Sequence, residues 1–115
     1  MRRIDLDAIL QTQLKQHDMY PIEYKFNEDE LLKELKIYID KTYSMHYSKN
    51  QFQSTEFIID SGHGTGFLIG NIMKYAQRYG RKGSPEEWRK DLMKIIHYSL
   101  LALYNHDNDG DLNDD

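Results

Sequence analysis

Asn71, Lys74 and Arg78 stand three and four residues apart, so a helix would carry them on one face, a turn between neighbours. Two cations and an amide in a line could hold a phosphate together with a base or a sugar. Asp91, Lys94 and Tyr98 repeat the spacing further on, with His97 beside them, and the two faces converge if these stretches form a hairpin. The interval from Lys74 to Lys94 carries Lys74, Arg78, Arg81, Lys82, Arg89, Lys90 and Lys94 against Glu86, Glu87 and Asp91, so an anion would be drawn to it. A general base near that face would be Asp91 or a histidine. The same pattern also describes a solvated helix face, on which Asp91 merely pairs with a lysine one turn away.

Gly62-His63-Gly64-Thr65-Gly66 is the second feature with chemical meaning. Glycines ahead of a helix expose backbone N–H groups, and the helix dipole favours a phosphate there. The segment is neither a Walker A loop, since no Lys-Ser or Lys-Thr follows the last glycine, nor a dinucleotide fingerprint. Such a break needs unusual backbone angles or the close approach of another group, and it serves equally as a plain kink between helices. The histidines His17, His46, His63, His97 and His106 have no metal-ligand spacing, and the chain has no cysteine, so no metal site is expected. Glu56/Asp60 and Glu87/Asp91 are each one turn apart and would hold Mg2+ only if their helices faced each other; Mg2+ could otherwise arrive with a nucleotide. Asp107, Asp109 and Asp111 imitate the start of a calcium loop, but glycine stands fourth rather than sixth and no glutamate closes it. Residues 107–115 read as an acidic disordered tail.

The elements that must position these groups are mainly helical. Ile4, Ala8 and Ile9, joined by Leu6, Leu10 and Leu14, give an apolar stripe to a helix from Asp5 to His17. Tyr20, Pro21 and the alternation Ile22, Tyr24, Phe26 predict an extended link or a short strand. Asn27 with Glu30 three positions on predicts a capping box for a helix reaching about Tyr43, with Leu31, Leu35, Tyr38 and Ile39 on one face. Ser44 to Gln53 reads as an irregular loop, followed by a short helix from about Ser54 to Ser61. A helix over about 66–80 closes on Gly80 as its C-terminal cap. Ser84-Pro85-Glu86-Glu87 combines an N-cap, proline at the first helical position and an acid three after the cap, so a long helix over about 85–104 must start there. The fold expected is a small helical domain over 1–106, built around an antiparallel hairpin of these last two helices with the earlier ones packed on it.

Composition narrows the classes further. A chain of 115 residues with 39% hydrophobic, 30% charged and 12% aromatic residues is one domain, too aromatic for disorder and too polar for a membrane protein. The start, MRRIDLDAILQ, puts acids where a signal peptide needs an apolar run, so a cytosolic protein is expected. The net charge of -4 comes from the tail: with its five Asp set aside, fifteen bases face fourteen acids. A nearly neutral body without a recognition motif makes nucleic acid an unfavoured partner. A short chain with nine Tyr and a narrow hairpin buries apolar surface poorly alone, which predicts a homo-oligomer.

His46-Tyr47, Phe57-Ile58-Ile59, Gly70-Asn71-Ile72-Met73-Lys74-Tyr75 with Arg78-Tyr79 and Lys82-Gly83, then Asp91-Leu92 with Lys94 and Tyr98, form a combination that resembles the SaV-like family of small phage proteins. That family includes the small nucleotide kinase of T-odd coliphages. The resemblance covers about residues 46–103, leaving 1–45 as a helical extension. It implies a phage protein in the host cytoplasm that binds a nucleotide or a nucleotide-derived ligand, such as a cyclic nucleotide. Asn71, Lys74, Arg78 and Lys82 would then line the anion site, with His46, Tyr47, Asp91, Lys94 and Tyr98 around it.

Three functions stay open on this reading. The first is a deoxynucleoside monophosphate kinase, in which Lys74, Arg78 and Lys82 neutralise the phosphates and the helix N-terminus near Gly66 adds donors. The second is a non-enzymatic sponge for a nucleotide signal of a host defence system. The third is an inhibitor that binds a host protein.

Overall fold

The computed structural model describes residues 4–19, 21–45 and 48–109. They form five helices, α1 (Leu6–Met19), α2 (Glu28–Ser44), α3 (Ser48–Asp60), α4 (Gly64–Arg78) and α5 (Pro85–Asn108), and no strand occurs among the described residues. None of these helices is long and apolar enough to cross a membrane.

The hairpin of α4 and α5 is the frame. Gly80, with φ 79°, turns the chain just past the C-cap of α4, and Gly83, with φ 85°, turns it again before α5. The Ser84 hydroxyl accepts from the Glu87 N–H at 3.4 Å, Pro85 opens the helix, and the Trp88 indole N–H donates to the Gly83 carbonyl at 3.1 Å. Two cross-helix pairs hold the antiparallel register. Arg78 meets Asp91 near the turn, and Thr65 meets Asn105 at the far end. Helix α3 packs on α4, and α2 packs on both α3 and α5.

Local expectations hold at several ends and fail at others. Asp5 caps α1 through a 3.1 Å bond from the Ala8 N–H. The capping box at Asn27 does not form. Asn27 adopts a left-handed conformation, φ 60° and ψ 30°, its side chain caps nothing, and Glu28 instead accepts from the Phe26 N–H at 2.8 Å. Pro21 to Phe26 forms no strand, and Ile22, Tyr24 and Phe26 are exposed.

Helix α3 starts at Ser48, about six residues before the expected Ser54 and inside the stretch read as a loop. Ser48, Asn50, Ser54 and Thr55 have little helix preference of their own. Phe52 stacks on Tyr43 of α2, with centroids 4.3 Å apart and planes at 11°, so tertiary contact supports this segment, and within the helix the hydroxyl of buried Thr55 donates to the Gln51 carbonyl at 3.0 Å. Helix α4 begins at Gly64, two residues earlier than expected, and α5 continues past Tyr104 to Asn108, whose side-chain amide donates back to the Tyr104 carbonyl at 2.8 Å.

The three-residue link between α3 and α4 uses both devices open to a glycine-rich break. Gly62 has φ 90°, while Gly64 is buried with no room for a side chain against Asn105. Among the described residues the buried apolar side chains are Leu35, Leu68 and Met93, and the buried polar ones are Thr55, Asp91 and Asn105.

Candidate functional site

The hairpin register brings the two polar faces together around Tyr75. Its ring, half-buried on α4, stacks on Tyr98 of α5 with centroids 5.9 Å apart and planes at 18°. Three cations approach it: Lys74 Nζ at 5.0 Å from the centroid, Lys94 Nζ at 4.9 Å and Arg78 Cζ at 5.3 Å. An aromatic face attracts cations, and here it gathers them from two helices.

Arg78 is not a free cation. Its Nη2 donates to Asp91 Oδ1 at 2.9 Å and its Nε donates to Oδ2 at 3.3 Å, a fork that engages both carboxylate oxygens. The Asp91 side chain is 1% exposed and that of Arg78 is 31% exposed. Hydrogen bonding to Asp91 pushes the guanidinium above its ordinary pKa, against a smaller opposing effect of desolvation. Asp91 is therefore neither the exposed partner of Lys90 or Lys94 nor an available general base. With Arg78 neutralised, Lys74 and Lys94 leave two positive charges without a carboxylate partner among the described residues.

Beside this cluster lies a cleft of about 260 Å3 between four helices. Tyr38 and Thr42 of α2, Met45 just beyond it, and Gln51, Phe52 and Thr55 of α3 form one side. Tyr75 of α4 and Lys94, His97, Tyr98 and Leu101 of α5 form the other. Gln51 Nε2 donates to the Tyr98 hydroxyl at 3.4 Å across it. Burial pushes the Tyr98 phenol above its usual range, keeping it neutral. The lining thus offers flat rings for stacking, hydroxyls and an amide for hydrogen bonds, and a lysine at one end.

His97 packs edge-on to Tyr38 and tilted to Phe52, each with centroids 6.2 Å apart. Desolvation there pushes its pKa down from the ordinary 6.5. The unfolded chain consequently takes up this proton before the folded one does. The stability that His97 contributes is complete above about 6.5 and is lost as the pH falls through the folded value. His97→Gln should flatten the decline in urea midpoint between neutral and mildly acidic pH, and an unchanged slope would place the acid sensitivity elsewhere.

The expected site residues are distributed unevenly. Lys94 and Tyr98 line the cleft, and Lys74 and Arg78 flank it through the Tyr75 ring. Asn71 shares their helix, but its amide donates to the Phe67 carbonyl at 2.9 Å, one turn back, and it does not line the cleft. Lys82 is exposed in the turn after α4, outside the lining. His46 and Tyr47 lie outside the described residues.

The N-terminus of α4 cannot serve the same anion. Gly64 and Arg78 are fourteen residues apart, which is about 21 Å along a helix. The acid pairs are separated in the same way. Asp60 lies by Gly64 and Asn105 at one end of the hairpin and Asp91 is clasped at the other, so they form no joint Mg2+ site. No group of three or more His, Asp or Glu suited to a metal occurs among the described residues. Tyr38, Thr42, Gln51, Phe52, Thr55 and Tyr75 were not foreseen. Tyr75 alone had a local signal, an aromatic residue between Lys74 and Arg78.

A family model described as a protein of unknown function, DUF3310, matches residues 41–99, just over half of the 115-residue chain. The chain belongs to the DUF3310 family. No curated protein and no solved structure matches it. The DUF3310 stretch runs from the end of α2 through α3 and α4 and well into α5. It includes every cleft residue except Tyr38 and Leu101, so the cleft belongs to the family portion of the chain.

Proposed function

We propose that this DUF3310 protein binds and retains one mononucleotide-sized ligand in the four-helix cleft. The observation that carries the reading is the convergence of Lys74, Arg78 and Lys94 on Tyr75 at the edge of an aromatic cleft. A base or sugar would stack among Tyr98, Phe52 and His97, while its phosphate would meet the ammonium groups of Lys74 and Lys94. The resemblance to the SaV-like phage family favours a nucleotide over other phosphorylated aromatics, and it favours an infected host's cytoplasm as the setting.

Retention is favoured over transfer for two reasons. A volume of about 260 Å3 lies below the roughly 300 to 1,000 Å3 of ordinary ligand pockets, enough for one small ligand but not for a donor and an acceptor together. Asp91, the base a kinase would have used, has both oxygens held by Arg78. Capture of a nucleotide signal made by a host defence system fits this chemistry.

Calorimetric titration with deoxynucleoside mono-, di- and triphosphates, cyclic nucleotides and inorganic phosphate tests the reading. A compact nucleotide should bind, Lys94→Ala should weaken it by about 1 to 3 kcal/mol, and Lys82→Ala should leave it unchanged. Absence of nucleotide binding, or equal affinity in Lys94→Ala, would remove the cleft as the site. Conversion of a monophosphate to a diphosphate over many turnovers with a triphosphate donor would replace retention by kinase action.

A further inference from the structure

Apolar side chains that a self-sufficient domain would bury lie on the surface of α5. Leu92, Ile96, Leu100 and Leu103 are 42%, 43%, 44% and 57% exposed. Their spacings of four, four and three residues keep them in one stripe, about 16 Å long. At its N-terminal half the stripe joins Leu31 and Leu32 of α2, over buried Leu35 and Met93, in an apolar groove of about 360 Å3.

Charge is confined to the end of that groove and is already engaged. Glu28 accepts from the Phe26 N–H, and Arg89 is paired with Glu34 at 2.7 Å. From Leu92 to Leu103 the stripe itself holds no ionisable group. Two identical copies of such a surface can face each other without repulsion, which a cationic or acidic face could not do.

The chain as a whole exposes 9700 Å2, against about 6,600 Å2 for a compact monomer of 13.7 kDa. That excess is spread over several helix faces, and a standard interface takes roughly 800 Å2 from each partner, a part of it that the α2/α5 face would supply.

We infer that the α2/α5 face is the docking site for a second copy of this chain, α5 stripe against α5 stripe about a two-fold axis. Tyr98 and Leu101 of the cleft project from the far side of α5, so the cleft stays open in the dimer. The inference is therefore independent of what the cleft binds.

Sedimentation of the full chain across the micromolar range tests it. The expected species is a dimer. Ile96→Glu, and separately Leu103→Glu, should weaken its association by about tenfold or more, because each would bury a charge in an apolar contact. Leu103 is the most exposed of the four, so its replacement disturbs the monomer least, and far-UV circular dichroism should show unchanged helicity. Leu6→Glu on α1 should leave the dimer intact. A monomeric wild-type chain, or a dimer that survives both α5 variants, would overturn the inference. A dimer dissolved by Leu6→Glu would also overturn it, by moving the contact to α1.

Discussion

Arg78→Ala should lower the stability of the protein more than Asp91→Ala, although Arg78 is the more exposed partner. Removing Asp91 loses two charge-assisted hydrogen bonds but leaves a guanidinium that can still reach water. Removing Arg78 leaves a carboxylate sealed in the interior with no cation, and breaking a buried pair from that side is the costlier operation. Urea midpoints of the two alanine variants against wild type would show this order. The double replacement Arg78→Met with Asp91→Leu should recover much of the loss, because neither charge then remains to be desolvated. Equal losses in the two alanine variants would mean that an unpaired buried carboxylate is not what Arg78 guards against.

At the other end of the hairpin, Gly64→Ala should be destabilising even though alanine is the better helix former. A Cβ built there would lie 2.5 Å from Asn105 Oδ1, 3.0 Å from its Cγ and 3.1 Å from Ile59 Cγ1. Asn105 cannot yield freely, since it is buried and its amide donates to Thr65 Oγ1 at 3.1 Å. Overpacking of this kind costs about 1 to 3 kcal/mol, against a propensity gain of about 1 kcal/mol.

Gly66 and Gly70 provide the contrast within the same helix. No atom lies within 4 Å of a Cβ at either position, so alanine there should stabilise by about 0.5 to 1 kcal/mol. Thermal unfolding of the three variants, with Asn105→Ala added to Gly64→Ala, would separate steric clash from propensity. The combined variant should be less impaired than the two losses added together. A Gly64→Ala protein as stable as Gly70→Ala would refute the close approach.

The elements whose specification lies within a few residues are legible in the amino-acid sequence alone. Ser84-Pro85-Glu86-Glu87 starts α5 because its cap hydrogen bond spans three residues, and Gly80 with Gly83 shapes the turn because a positive φ is a property of each residue's own backbone. The spacing of Lys74 and Arg78, and of Lys94 and Tyr98, places each pair on one face because helical periodicity is local. What meets across the hairpin is decided only by tertiary structure. Asp91 has lysines within a turn on either side, yet it pairs with Arg78 thirteen residues away, and that choice depends on a register held also by Thr65 and Asn105, forty residues apart. Helix α3 is hidden from local pattern for the same reason: Phe52 and Thr55 are ordered by packing and burial rather than by propensity. The cleft draws residues from four helices and has no linear pattern to read, because its shape is the space left between helices once the long-range contacts have fixed their positions.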